Sequence, residues 1–170
     1  MRRVRVVGWG SPYRGDDQAG LWAAGALRGI LPPEVEVRDG VAGGADLDAW
    51  CQNVDALVVI DAAQATADLP LGTVRRVDYR AEPRALRTVR GTGTHGIGLG
   101  DALDLAERLD LLPREVFVYA IAAERFGPGD RLSEALRQPL ANLVRSVQSD
   151  VLAMLKDEPA SLPLGDLSQL

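Results

Sequence analysis

Residues 56–60 read ALVVI, apolar at every position, so no side of this run could face water. A strand of that kind is stable only when covered on both faces, which points to an inner strand of a largely parallel sheet. Shorter β-rich runs at 3–7, 34–38, 73–79 and 115–121 alternate with helical patterns at 17–30, 45–52, 101–109 and 133–155. Alternation of this type predicts an α/β domain of five strands and four helices, with 56–60 as the central strand. The Arg-bearing run at 73–79 suits an edge, where charge discourages pairing with another sheet. Pro32 and Pro33 stop the first helix, Ser133 is a candidate N-cap for the last, and Pro139 either kinks that helix or marks its first turn. No repeat or second-domain boundary interrupts residues 1–156. Residues 157–170, with two prolines and few large apolar anchors, read as a mobile tail.

Composition removes several chemistries. A single cysteine, Cys51, excludes an intramolecular disulfide framework and any Cys-based zinc site, and its neighbourhood in a helix suggests a buried core thiol. A single histidine, His95, excludes the two-histidine motif of zinc peptidases. No Walker A sequence, G-x-S-x-G elbow or aspartic-protease signature is present. No run approaches the roughly 18 apolar residues of a membrane span, and the N-terminus lacks a signal-peptide core. The expectation is therefore a cytoplasmic protein without membrane contact. With a net charge of −5, general nucleic-acid binding is also unexpected. Residues 75–90 carry six Arg, which read as a solvated strand and loop in preference to a docking surface.

Sixteen aspartates are present, and position singles out a few of them. Gly8-x-Gly10 follows the first strand and opens a helix as a dinucleotide fingerprint would. However, Tyr13 stands where the third Gly belongs, and Asp16 and Asp17 would repel a pyrophosphate. One of these two acids can cap the helix while the other points into the crevice above the strand ends. Asp61 closes the central strand, where open α/β sheets place their ligands. His95 lies in a segment with five Gly between 91 and 100, which lets backbone approach a ligand closely. Asp17, Asp61 and His95 come from three connections that a parallel sheet brings to one edge. Two oxygens and one imidazole suit a first-row divalent ion with open positions. Asp39, ending the second strand, is a further carboxylate at that edge, as a supporting group or as turn chemistry.

Three segments in this order, GWGSPYRGDDQAG (8–20), VVIDA (58–62) and THGIGLGDALDLA (94–106), resemble the hydrogenase maturation protease family over residues 3 to about 150. Ser11 stands in place of the family's usual Asn, and Gln18 in place of a common Gly. The resemblance implies a three-layer α/β/α sandwich with a twisted, mostly parallel (mixed) five-stranded sheet. It also implies an endopeptidase that removes a C-terminal extension from the large-subunit precursor of a nickel-iron hydrogenase after nickel insertion. The family's nickel-contacting residues correspond to Asp17, Asp61 and His95, which would then be the catalytic and metal residues. Nickel would arrive with the precursor, or another divalent metal would sit in the isolated protein. Metal-polarised carbonyl and metal-activated water both remain open as mechanisms. So does a reading from another class, a metal-sensing chaperone that docks on the precursor without cutting it.

Overall fold

A computed structural model describes residues 2–41, 46–88, 98–129 and 131–156. Five strands form one sheet: β1 (Val4–Gly10), β2 (Glu36–Val41), β3 (Ala56–Gln64), β4 (Val74–Asp78) and β5 (Glu115–Ala123). Their spatial order is β2-β1-β3-β5-β4, with β3 in the centre. The first four run parallel, and β4 pairs antiparallel to β5 at the edge, through Arg75↔Ala120 and Val77↔Val118. The expected mixed sheet, its central strand and its Arg-bearing edge are all found.

Alternate residues of each inner strand feed opposite sides of the sheet, as the two-residue period of a strand requires. Val58, Ile60, Tyr119 and Ile121 pack with Ala23 and Leu27 of α1 (Ala19–Arg28) and with Leu140, Leu143 and Val147 of α5 (Arg137–Leu155). Leu57, Val59, Val116 and Val118 pack on the other side with Trp50 of α2 (Leu47–Cys51) and Leu103 of α4 (Leu99–Arg108). Helices on both faces make the three-layer sandwich. One additional short helix, α3 (Ala85–Thr88), follows β4 and was not legible in the sequence.

The strand and helix bounds differ from the sequence reading in a consistent way. β1, β3 and β5 each run past the expected ends into Gly- and Ala-containing stretches, GWG, DAAQ and AA. Small residues have little strand propensity of their own, yet here they are held by pairing with a neighbouring strand: Ala62 lies opposite Ile121 and Ala63 opposite Ala122. β2 begins two residues later than expected and continues to Val41. The helix expected over 17–30 is a 3-10 turn, Gly15–Gln18, followed by α1. At the other end, Ser133 precedes a short 3-10 turn, Glu134–Leu136, and its hydroxyl makes no cap bond. α5 starts at Arg137, so Pro139 sits in its first turn, where the missing N–H costs nothing. The tail expected at 157–170 lies outside the described residues.

The topology also fixes where a site can form. β1 leads through α1 to β2 on one side, whereas β3 lies on its other side, so the strand order reverses between β1 and β3. Open α/β sheets bind ligands in the crevice above the carboxyl ends at such a reversal. Gly10 ends β1 there, and Asp61 lies on β3 beside it.

Candidate active site

Two close approaches bring the 3-10 turn down onto the strand ends. A Cβ on Gly20 would lie 2.2 Å from the Ile60 carbonyl oxygen and 2.3 Å from that of Trp9. Only a glycine lets the start of α1 rest against β1 and β3 at once. Gly10 adopts φ +156°, and a Cβ there would lie 2.0 Å from the Asp17 carbonyl oxygen. The backbone of Asp17 is thereby seated on the end of β1. Gly10 and Gly20 thus act as spacers that decide the depth of the turn.

The adjacent acids divide the work, though not as capping alone would suggest. Asp16 is fully buried and caps nothing in its own helix. Its carboxylate accepts from the backbone N–H of Arg125 at 3.0 Å and of Ser133 at 2.8 Å, while its own N–H donates to the Arg125 carbonyl at 2.7 Å. Asp16 therefore bolts the turn to the loop that follows β5. Tyr13 and Gly15 extend that junction through hydrogen bonds with Gly129, and Tyr13 takes a left-handed φ of 63° to do so. Asp17, half-buried, lies close enough to Asp61 for their charges to interact.

Asp61 is 9% exposed and occupies the β3 register opposite Ala120. Burial raises its pKa well above the ordinary carboxylate range, and the negative charge of Asp17 raises it further; a hydrogen bond from the Ala62 N–H works the other way. Two carboxyl groups in such a place cannot both remain charged without help. A shared proton or a cation resolves the repulsion, and either one is useful chemistry for acyl transfer. Asp17 and Asp61, expected at the same sheet edge, lie together there. His95 lies outside the described residues. Among the described residues no three His, Cys, Asp or Glu side chains gather as a metal-binding group.

A model of the HycI hydrogenase maturation protease family matches residues 26–150. That span is well over half of the chain. The chain belongs to the hydrogenase maturation protease family. Membership places it among peptide hydrolases. It is 27% identical over 157 residues to the hydrogenase 2 maturation protease of Escherichia coli strain K12, covering 91% of this chain and 92% of that protein. The solved structure of the hydrogenase maturating endopeptidase HybD from Escherichia coli superposes with a TM-score of 0.73 at 25% identity, over the full length of both chains. The [NiFe] hydrogenase maturation protease HycI from Thermococcus kodakarensis shares the fold, with a TM-score of 0.65 at 18% identity over 86% of this chain and 90% of that one. The family match includes Asp61 and position 95 but begins after Asp17, which is therefore tied to the site by its geometry and by the sequence motif.

Other residues singled out in the sequence fall elsewhere. Asp39 pairs with Arg28 at 3.0 Å on the surface and is not part of the Asp17–Asp61 pair. Cys51 is buried, and burial pushes its thiol pKa up to about 11, so it is an inert core group. Two members of the Arg cluster, Arg76 and Arg80, turn to partners in the fold instead of forming a solvated face. Arg80 donates to the carbonyls of Leu112 and Pro113, tying β4 to the loop before β5. Arg76 is 3% exposed and ion-paired with the fully buried Asp150 of α5 at 3.1 Å. It also donates to the Tyr119 hydroxyl at 3.0 Å, lies over the Phe117 ring, and shares Asp150 with Tyr119, whose hydroxyl donates to the same carboxylate. Among the described residues no helix is long and apolar enough to cross a membrane.

Proposed function

We propose that this protein is an endopeptidase that removes the C-terminal extension of a nickel-iron hydrogenase large-subunit precursor once nickel has been inserted. The observation that carries this reading is the buried Asp61 carboxyl beside Asp17 at the sheet's reversal point. A site built on mutual repulsion is weak when empty and gains most from a cation delivered with the substrate. Nickel held by the precursor is such a cation, and Asp17, Asp61 and the nitrogen of His95 are the groups offered to it. The chain's single cysteine is buried on the α2 side of the sheet, so any thiolate around that nickel comes from the precursor.

Burial decides how the pair responds. In the empty site the raised pKa of Asp61 favours a proton at the pair, and an arriving cation displaces that proton as both carboxylates turn to it. The cation would then supply polarisation of the scissile carbonyl or activation of a water. Asp16 and the glycine spacers hold the pair in place from behind. The relatives named above as hydrogenase maturation proteases support the substrate class.

The test is cleavage of a purified nickel-loaded precursor by the wild type and by Asp17→Ala, Asp61→Ala and His95→Ala. Loss of a positioned acid or base lowers rates about 100-fold or more. Each variant is expected to fall at least that far while remaining folded by circular dichroism. Unimpaired cleavage by all three would overturn the assignment.

A further inference from the structure

Beside the 3-10 turn lies a pocket of about 340 Å³, lined by Gly15, Arg125, Gly127, Gly129, Arg131 and Ser133 among others. Its floor is the junction that Asp16 bolts together, one residue from Asp17. Charge is distributed unusually here. The protein carries a net −5, yet this pocket presents two exposed guanidinium groups that make no ion pair among the described residues. Among the described lining residues the one acid, Glu134, is already paired with Arg137 at 3.0 Å. The Ser133 hydroxyl is buried and has no hydrogen-bond partner among the described residues. The backbone around it is held in place, since the Gly129 N–H donates to the carbonyl of Tyr13, itself fixed at positive φ.

Two Arg and a hydroxyl without partners among the described residues, set in a shaped cavity, together match a carboxylate, which takes bidentate donation from guanidinium and a further O–H bond. We infer that this pocket is a recognition subsite for a carboxylate of the peptide substrate, bound within a few residues of the bond cleaved at Asp17 and Asp61. The inference rests on the peptidase reading and adds to it the residues that select the substrate. Arg125 and Arg131 bind the anionic group, and Ser133 orients it. None of the three touches the reacting atoms.

Two arms test this. In the first, the wild type and the Arg125→Gln/Arg131→Gln variant cleave the nickel-loaded precursor, and KM and kcat are measured separately. Charge-assisted hydrogen bonds are each worth roughly tenfold or more in affinity. The variant is expected to raise KM about tenfold or more with kcat unchanged. Substrates whose acidic side chains near the cleavage point are changed to amides should show the same rise with the wild type and no further rise with the variant. If a precursor with an extended C-terminus shows the rise instead, the carboxylate is that of the chain end. Unchanged KM in the variant, or a rise that neither altered substrate reproduces, overturns the inference. The second arm needs no cleavage and so separates this inference from the peptidase reading. N-acetyl-Ala-Glu, compared with N-acetyl-Ala-Gln, is titrated into the labelled protein, and amide shifts at Gly127, Gly129 and Ser133 are followed by NMR. Saturable shifts with the acid alone, lost in the Arg variant, support the subsite even if the wild type cuts no precursor. Equal responses to both peptides, or none, overturn it.

Discussion

Asp150→Ala is expected to be among the most damaging substitutions outside the site, because it strands a buried guanidinium. Asp150 is fully buried and Arg76 only 3% exposed. The guanidinium cannot swing to water, since it lies 4.3 Å from the Phe117 ring centroid beneath α5. One of its nitrogens, Nη2, is already buried without a partner. Removing one member of a buried pair costs about 3–5 kcal/mol, mostly from the charge left behind. Tyr119 also loses the acceptor for its hydroxyl. Taking about 4 kcal/mol, and 2–4 °C per kcal/mol for a chain of this size, the melting temperature should fall by roughly 8–16 °C. Urea titration monitored by circular dichroism at pH 7 gives the free energy directly. The companion variant Arg76→Met/Asp150→Leu removes both charges and should lie within about 1 kcal/mol of the wild type. If Asp150→Ala costs less than about 1 kcal/mol, or the double variant is as unstable as the single, the stranded-charge reasoning is wrong.

Three further outcomes follow from the geometry. Gly20→Ala places a methyl group 2.2 Å from the Ile60 carbonyl oxygen, so α1 must lift from the strand ends; activity should fall together with a loss of about 1–3 kcal/mol, seen by parallel cleavage and thermal-melt measurements. Asp16→Ala leaves the Arg125 and Ser133 N–H groups without their acceptor, and should cost about 1–3 kcal/mol and increase hydrogen exchange in residues 125–133. Asp61 has a folded-state pKa raised by burial and by Asp17, so its contribution is most favourable below the unfolded value and is lost as pH rises toward the folded one. Asp61→Asn should therefore gain stability relative to the wild type as pH is raised from acid to neutral, measured with a chelator present; a constant difference across that range would contradict the raised pKa.

The fold was legible because the inner strands leave no alternative. An ALVVI segment followed by an acid requires a two-sided cover, and the helices on both faces supply it. Asp17 and Asp61 were legible for the same reason: the carboxyl halves of strands and the turns that follow them converge at a reversal, although β3 runs three residues past Asp61. Features set by distant partners were not. Asp16 reads locally as a helix cap, yet its partners are 109 and 117 residues away. Arg76 reads as one charge among six on an edge strand, and only the packing of α5 across the sheet reveals its pairing with Asp150. The Arg125–Arg131 pocket carries no sequence motif, since it exists only where the loop after β5 meets the turn after β1. Strand ends rich in Ala and Gly were underestimated because their order comes from neighbouring strands rather than from their own side chains.

Nickel-dependent cutting of a hydrogenase large-subunit precursor is read by intact-mass spectrometry of that precursor, loaded with nickel or left without it and incubated with the purified protein. A single loss of mass equal to a C-terminal segment is expected in the nickel-loaded sample, and an unchanged mass in the nickel-free one. A nickel-loaded precursor that binds the protein and keeps its full mass would contradict this expectation, and would instead mark a chaperone that docks without cutting.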